Sequence, residues 1–437
     1  MTPSTVGILV FLVMIALILM GVPVFLSMMV TCFAGFYLIG GFPMAITQFT
    51  TAPLAVGADY SYAVLPLFML IGTLAGITGI AEGAFGALQK WLGRVRGGLL
   101  YTLVLANAAF GACSGISTAG SITFARLALP EMDKAGYDKK VSMGAICGSG
   151  ILSTLIPPSI GIIMICVIMN NLSIGTALNY GLSCGLMLIA IMCVGVFVYV
   201  RIRPDKVPAT ADMPKVPMKE KLVSLKNLLP ILFVFLLIIG GTMLGWFAAT
   251  VAGAVASIAL IIYALVKHIP FKEVLRCLWD AAVVNAGFFP IIVAGSMFSR
   301  FVSTTGIVTS VANFIARLSL PAYVVFLIVV VFYLFCGCVM DIMSIVTITV
   351  PIVLPLLVGL GYNEYIVCVL LVFMCDMAGL TPPIGMNVFA VSNALRVSPS
   401  EIFAGVTPFF LMDLAAVLVI GACPQIIMWL PKLTGLA

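Results

Sequence analysis

The 437-residue sequence predicts an all-α polytopic membrane protein built from two inverted repeats, each with a re-entrant helical hairpin and a broken helix. Three observations predict this. Apolar residues make up 63% of the chain and charged residues 8%, with a mean hydropathy of +1.27; soluble domains carry roughly 45–50% and about 25%. So few charges cannot cover a water-facing surface, so lipid replaces water around most of the chain. Next, landmarks recur in order: Leu129–Pro130, Gly136–Tyr137, Leu155 and Pro157–Pro158 return as Leu354–Pro355, Gly361–Tyr362, Leu380 and Pro382–Pro383, always 225 residues later. Thr78-Gly79-Ile80 returns as Thr305-Gly306-Ile307 at an offset of 227. Finally, Gly and Pro interrupt long apolar runs at matching places in both halves.

The elements follow in chain order. Runs long enough to cross lipid (about 17–25 residues) lie near 5–22, 23–42, 62–80, 141–170, 175–200, 228–247, 248–266, 284–305, 364–394 and 402–430. Segment 5–20 lacks a basic flank and a small-residue cleavage site, and reads as a retained first span. The first repeat occupies 1–200: scaffold spans in 5–80, a surface arm at 81–96, a hairpin at 97–130 and a broken helix at 141–170. Residues 201–226, rich in Pro and Lys, form a cytoplasmic linker. The second repeat occupies 227–437, with scaffold spans in 228–305, an arm at 306–319, a hairpin at 320–356 and a broken helix at 364–394. Runs 97–130 and 320–356 each carry a polar break near the middle, which favours two half-helices over one long span. Segment 271–280, with Phe271, Val274, Leu278 and Trp279 opposite Lys272, Glu273 and Arg276, reads as a separate interfacial helix.

Orientation follows from the basic residues. With the linker cytoplasmic, 18 of 21 Lys and Arg face the cytoplasm, leaving Arg300, Arg317 and Lys432 outside. Gly136–Tyr137 runs on into Asp-Lys-Lys, whereas Gly361–Tyr362 runs on into Asn-Glu-Tyr. One turn is marked cytoplasmic and its mate is not, so the repeats are inverted, as in many secondary transporters. The basic residues sit in loops between spans, which excludes nucleic acid as a partner. The twelve cysteines are scattered through apolar runs without a CxxC pair or a histidine-containing ligand set. No HExxH, Ser–His pair or intramembrane histidine is present to support an enzyme, and no filter or charged pore helix to support a channel.

The chemistry is expected at the breaks. The first hairpin turns at 111–121 and the second at 336–347; broken helices carry Gly-Ser-Gly-Ile-Leu-Ser-Thr-Leu-Ile-Pro-Pro (148–158) and Asp-Met-Ala-Gly-Leu-Thr-Pro-Pro-Ile-Gly-Met-Asn (376–387). A polar group left unsatisfied in hydrocarbon costs several kcal/mol. Freed carbonyls with Ser and Thr hydroxyls make an oxygen cage for a hard cation, and half-helix N-termini face a carboxylate. Intramembrane acids are sparse: Asp341, Asp376 and Asp413, with Asp280 near an edge. Neutral oxygens beside one acid suit Na⁺ better than a proton relay, which shows a chain of ionisable groups. Asp376, one turn before Gly379, could support the cage. Arg126 and Arg300 snorkel near helix ends, Arg300 being also a contact for an anionic solute.

At these residues the sequence resembles the large membrane subunit of the tripartite ATP-independent periplasmic (TRAP) transporters, through essentially the whole chain. The likeness is strongest at 111–137, in Thr-Leu-Ile-Pro-Pro-Ser-Ile (154–160) and in Leu-Thr-Pro-Pro-Ile-Gly-Met-Asn-Val-Phe (380–389). The resemblance implies an elevator-type, Na⁺-driven importer of organic acid anions in the bacterial cytoplasmic membrane. It implies a separate small four-helix membrane subunit and a periplasmic substrate-binding protein as partners, and no cofactor beyond the coupling ion. Sialic acid and C4-dicarboxylates are the substrate classes it suggests. It places one Na⁺ site at Ser114, Gly115, Ser117 and Thr118 with Ser149, Gly150 and Ser153. A second falls at Gly337, Asp341 and Ser344 with Gly379, Thr381 and Pro382. Substrate contacts fall at Ser117, Thr154, Pro157, Pro158, Gly385 and Asn387. The hairpin tips differ, Ser117 and Thr118 matching Ile342 and Met343 at the 225 offset, so the two cages cannot be identical. A standalone divalent-anion/Na⁺ symporter would share hairpins and inverted repeats and is the nearest rival.

Overall fold

The computed structural model describes residues 2–208, 216–337, 340–383 and 385–435. Among them, eight helices are long and apolar enough to cross a membrane, and nine if the bent pair Lys139–Leu155 and Ile160–Met169 counts as one span. Residues 209–215 of the linker, 338–339 of the second hairpin tip and 384 of the second break lie outside the described residues.

The scaffold is built reciprocally. Helix Val24–Ala58 of the first repeat packs on Phe271–Thr305 of the second, and Val64–Ile77 packs on Ala249–Val266. Small residues permit these close crossings. A side chain at Gly35 would meet the Phe301 ring at 2.5 Å, and Phe36 meets that ring edge-on at 5.3 Å. Ser257 donates to the Leu67 carbonyl at 3.1 Å across the second pair.

Two elements differ from the sequence expectation. The span expected at 23–42 does end at Gly41, whose φ of 71° only glycine adopts readily, but a second helical segment that the sequence does not predict follows it without a loop and runs to Ala58. The Gly-Gly-Phe-Pro run reads as a helix end, yet Pro43 sits where a new helical turn starts and its missing N–H is not needed. Segment 271–280 is not a separate helix: it joins 284–305 in one 35-residue helix, Phe271–Thr305. Its surface turns and its apolar span share one helical ladder, because no Gly or Pro separates them. The arms form Ile80–Leu92 and Ile307–Arg317.

The linker is more than a tether. Its helix Met218–Ser224 docks on the first arm, where Trp91 Nε1 donates to the Lys221 carbonyl at 3.1 Å and the Lys221 ammonium stands 5.7 Å from the indole ring. At its other end, Asp138 N–H donates to the Lys206 carbonyl at 3.1 Å.

The hairpins are Gly98–Ser114 with Ser117–Lys134, and Ala322–Gly337 with Ile342–Gly359. At 1.5 Å per residue, limbs of about 17 residues reach roughly 25 Å, a little under a bilayer core, and of the four only Ile342–Gly359 is among the eight helices long and apolar enough to cross. The second limb of each hairpin packs on the rear half of the other repeat's broken helix: Ser117–Lys134 on Met386–Leu395, and Ile342–Gly359 on Ile160–Met169. Beside them runs Pro399–Ala422, which crosses Lys139–Gly150 so closely that Gly144 and Gly405 leave no room for a Cβ.

Candidate solute and cation site

Two consecutive prolines end each front half-helix. In an α-helix the carbonyls of Ser153 and Thr154 would accept from the N–H groups of residues 157 and 158; both are Pro and have none. The span bends by 43° here. The chain restarts at Ile160, with Ser159 capping the new helix.

The first hairpin tip seats into this break. Gly115 ends the first limb with φ 66°, and a Cβ there would strike the Pro158 carbonyl. The Gly115 carbonyl accepts from Ile160 N–H at 3.3 Å. Gly120 and Gly150 are equally confined, Gly120 against Ser153 and Asn107, and Gly150 against Ser121 and the Ser117 carbonyl. Within this fold Asn107 Nδ2 donates to Ser149 Oγ at 2.8 Å, Ser149 donates to Ala145 O at 2.7 Å, and Ser153 donates to Asn107 O at 3.1 Å. Ser117 then crosses to the other repeat: its hydroxyl lies 2.6 Å from Asp376 Oδ1 and 3.3 Å from the Asn387 side-chain amide. Ser117 has one proton, which goes to the carboxylate. With the amide flipped, Asn387 donates to Ser117 and leaves its oxygen as an acceptor.

Among the described residues, several buried polar atoms here have no hydrogen-bond partner within bonding distance: Asn107 Oδ1, Ser121 Oγ, Thr154 Oγ1, Asp376 Oδ2 and the distal atom of Asn387. Each such atom costs about 1–3 kcal/mol when left unmade. Thr154 faces the Asp376 carboxyl. Among the described residues no Lys or Arg pairs with this centre; the salt bridge present is the surface pair Lys134–Glu131 at 2.7 Å.

Ser117, Ser149, Gly150, Ser153, Thr154, Pro157, Pro158 and Asn387 are thus buried around one break. Ser114 lies apart, against Gly72 of the scaffold, on a cavity of about 280 Å³ lined by Gly72, Phe110, Ile116 and Ala281. Thr118 is only partly buried. The second set is looser. Asp341 caps its own helix, accepting from Ser344 N–H at 3.1 Å and from the Ser344 hydroxyl. Gly337 packs on Ala378, and Thr381 donates to Ala378 O at 2.7 Å. Pro382 is exposed, and Gly385 restarts the helix at φ 50°. Asn387 N–H donates to Gly379 O at 3.1 Å, tying the two halves of that break. Arg300 bonds Gln48 and Thr51 in the scaffold at 3.3 and 3.2 Å, and Arg126 is exposed, so neither enters the centre. Asn107 and Ser121 were not singled out by sequence. Both flank a glycine-rich turn, the one signal that could have found them.

The sequence matches the family described as "Tripartite ATP-independent periplasmic transporter, DctM component" over residues 11–426. This chain belongs to that family. It is 27% identical over 399 residues to the C4-dicarboxylate TRAP transporter large permease protein DctM of Pseudomonas aeruginosa, covering 90% of each chain. It is also 27% identical to the ectoine/5-hydroxyectoine large permease UehC of Ruegeria pomeroyi, covering 97% and 98%, and to the 2,3-diketo-L-gulonate large permease YiaN of Escherichia coli, covering 87% and 89%. The fold is similar to the crystal structure of the Alcanivorax borkumensis YdaH transporter, with a TM-score of 0.60 and 16% identity over 87% of each chain. This DctM-family chain is therefore a TRAP transporter large subunit, a multi-pass protein of the bacterial inner membrane, and a permease component rather than an enzyme.

Proposed function

We propose that this subunit carries an organic acid anion, of the C4-dicarboxylate or sialic acid class, together with Na⁺ through the centre at the first break. A periplasmic binding protein delivers the anion, a separate small four-helix subunit completes the scaffold, and the hairpins and broken helices move as an elevator. The observation that carries this reading is the Ser117–Asp376 bond in a buried centre that, among the described residues, is rich in unpartnered oxygens and free of Lys and Arg. An anion cannot approach Asp376 in a low-dielectric site unless positive charge arrives with it. Na⁺ held by hydroxyls, freed carbonyls and Asp376 supplies that charge, so solute and cation must bind together. A zwitterionic solute would bring part of the compensation itself, which the absence of a basic side chain also favours.

Uptake into proteoliposomes tests this, using the chain with and without the small subunit and binding protein. Labelled succinate, sialic acid and ectoine are offered under an imposed Na⁺ or proton gradient. Uptake of one acid that needs both partners and an inward Na⁺ gradient is expected. Uptake by the chain alone, or uptake driven by protons without Na⁺, would overturn the proposal.

A further inference from the structure

Asp413 is fully buried in the middle of Pro399–Ala422, and among the described residues neither of its carboxylate oxygens has a hydrogen-bond partner. Its position follows from the crossing already described. Gly405 lies on Lys140 and Gly144, and Phe409 lies on Gly148. Residues four apart share a helix face, so Asp413, one turn beyond Phe409, stands level with Leu152, one turn beyond Gly148. That is the level of the first break. Asp376 is close enough for the two carboxylates to act on each other electrostatically.

Asp376 uses Oδ1 for Ser117; the hydroxyl of Thr154, 4% exposed, interacts with the same carboxyl, and among the described residues neither it nor Asp376 Oδ2 has a further partner. The carbonyls of Ser153 and Thr154, deprived of donors by Pro157 and Pro158, belong to the same level of the break. Two carboxylates side by side in a buried, water-poor interior do not both stay charged without a partner: either one holds a proton or a cation stands between them, and the binding experiment below separates the two. No described Lys, Arg or His supplies that cation.

We propose that Asp413, Asp376 and Thr154 form an additional alkali-cation site at the first break, with Asp376 shared between it and the Ser117 centre. Its role in transport rests on the cation-coupled reading above, but binding of the cation does not. A cation bridging Asp376 and Asp413 would tie Pro399–Ala422 to the second broken helix, so its occupancy would set where Asp376 stands relative to Ser117.

Equilibrium binding of radioactive ²²Na⁺ to the full-length chain in nanodiscs tests the site, apart from any uptake. Asp413→Asn is expected to remove one class of bound Na⁺ while leaving the remaining class at its wild-type affinity. Ser117→Ala should weaken Na⁺ binding without removing the class that Asp413→Asn abolishes. Should Asp413→Asn fail to fold, Thr154→Val carries the test: about tenfold weaker binding of one class is expected, restored by Thr154→Ser. An Asp413→Asn or Thr154→Val isotherm that overlays the wild type overturns the proposal. So does an unchanged isotherm accompanied by loss of Na⁺-independent proton uptake, which would make the occupant a proton. Wild-type Na⁺ binding with proton-driven uptake would defeat the transport reading and leave this site standing. Na⁺-driven uptake with unchanged Asp413→Asn binding would do the reverse.

Discussion

Both repeats break their helices at a Pro-Pro pair, yet the side chains around the two breaks are opposite in character. At the first break Asn107, Ser149 and Ser153 are fully buried and bonded to one another. Their counterparts at the 225 offset are Phe332, Met374 and Ala378. In return, the second repeat supplies Asp376 and Asn387 where the first has Ile151 and Ile162. Two symmetric half-sites would give two similar cages. Here the backbone symmetry survives while the polar groups converge on one centre, because Ser117 of the first hairpin reaches across to Asp376 and Asn387. Among the described residues, the second break shows an exposed Pro382 and an acid, Asp341, that caps its own helix. The first break is thus sealed, while the second, among the described residues, is open.

The largest expected effect tests the sealing. Gly115→Ala places a Cβ against the Pro158 carbonyl at a φ of 66°, a conformation that costs about 1 kcal/mol or more for a non-glycine residue before the clash is counted. Uptake in proteoliposomes should be abolished and the melting temperature of the purified protein lowered. Gly287→Ala, where nothing lies within 4 Å, should behave as wild type. Equal tolerance of both would mean that the hairpin tip does not need its close seat.

A smaller effect separates the two hairpin serines. Ser117→Ala removes the donor to Asp376 and should weaken the Na⁺ response of uptake by about five- to hundredfold, the equivalent of roughly 1–3 kcal/mol. Ser344→Ala loses a bond to a residue three positions away in its own cap, and should change the Na⁺ response by less than about threefold. Thr118→Ala, at a partly buried position, should resemble Ser344→Ala. Ser142→Ala and Ser257→Ala, which bond Asp138 O and Leu67 O far from either break, control for the chemistry of the change. Ser117→Ala matching these controls would sink the cross-repeat centre.

Asn107 is the next test, because it holds the sealed side together. Asn107→Leu keeps the volume but takes the donor from Ser149 and the unpartnered Oδ1 from the centre. Expression should survive, and the Na⁺ response should weaken about tenfold, near 1.4 kcal/mol. Wild-type Na⁺ dependence would mean that Asn107 only packs.

The breaks, hairpins and arms were legible in the sequence because Gly, Pro and charge leave marks that do not depend on tertiary contact. Landmarks at a constant offset placed Pro157–Pro158 and Pro382–Pro383 in equivalent positions, and the family-guided site residues include most of those that gather at the first break. What sequence could not give is which partner each residue finds across the molecule. Ser117 sits 259 positions from Asp376, and no local pattern encodes that meeting. Asn107 looks like an ordinary polar residue in an apolar limb until Ser149 is folded against it. Helix continuity was also hidden: the joint between 280 and 284 reads as an end, but Phe271–Thr305 runs through it as one helix.

Asp341 gives the smallest expected effect and the sharpest check on the comparison. An intramembrane acid at a hairpin tip reads from sequence as a cation ligand, and the resemblance placed it in the second Na⁺ site. In the structure its two oxygens already accept from Ser344 N–H and Ser344 Oγ, the N-cap arrangement that starts Ile342–Gly359. Asn caps helices about as well as Asp, so Asp341→Asn should leave both stability and the Na⁺ response close to wild type. Asp341→Ala removes the cap and should lower stability by about 0.5–2 kcal/mol, read as a drop in melting temperature, with an apparent Na⁺ affinity that stays within about threefold. A true ligand would show the opposite order. Asp341→Asn would then lose the charge that holds the cation and weaken the Na⁺ response as strongly as Ser117→Ala, at unchanged melting temperature. That outcome would restore two working cation centres and remove the division between a sealed repeat and an open one.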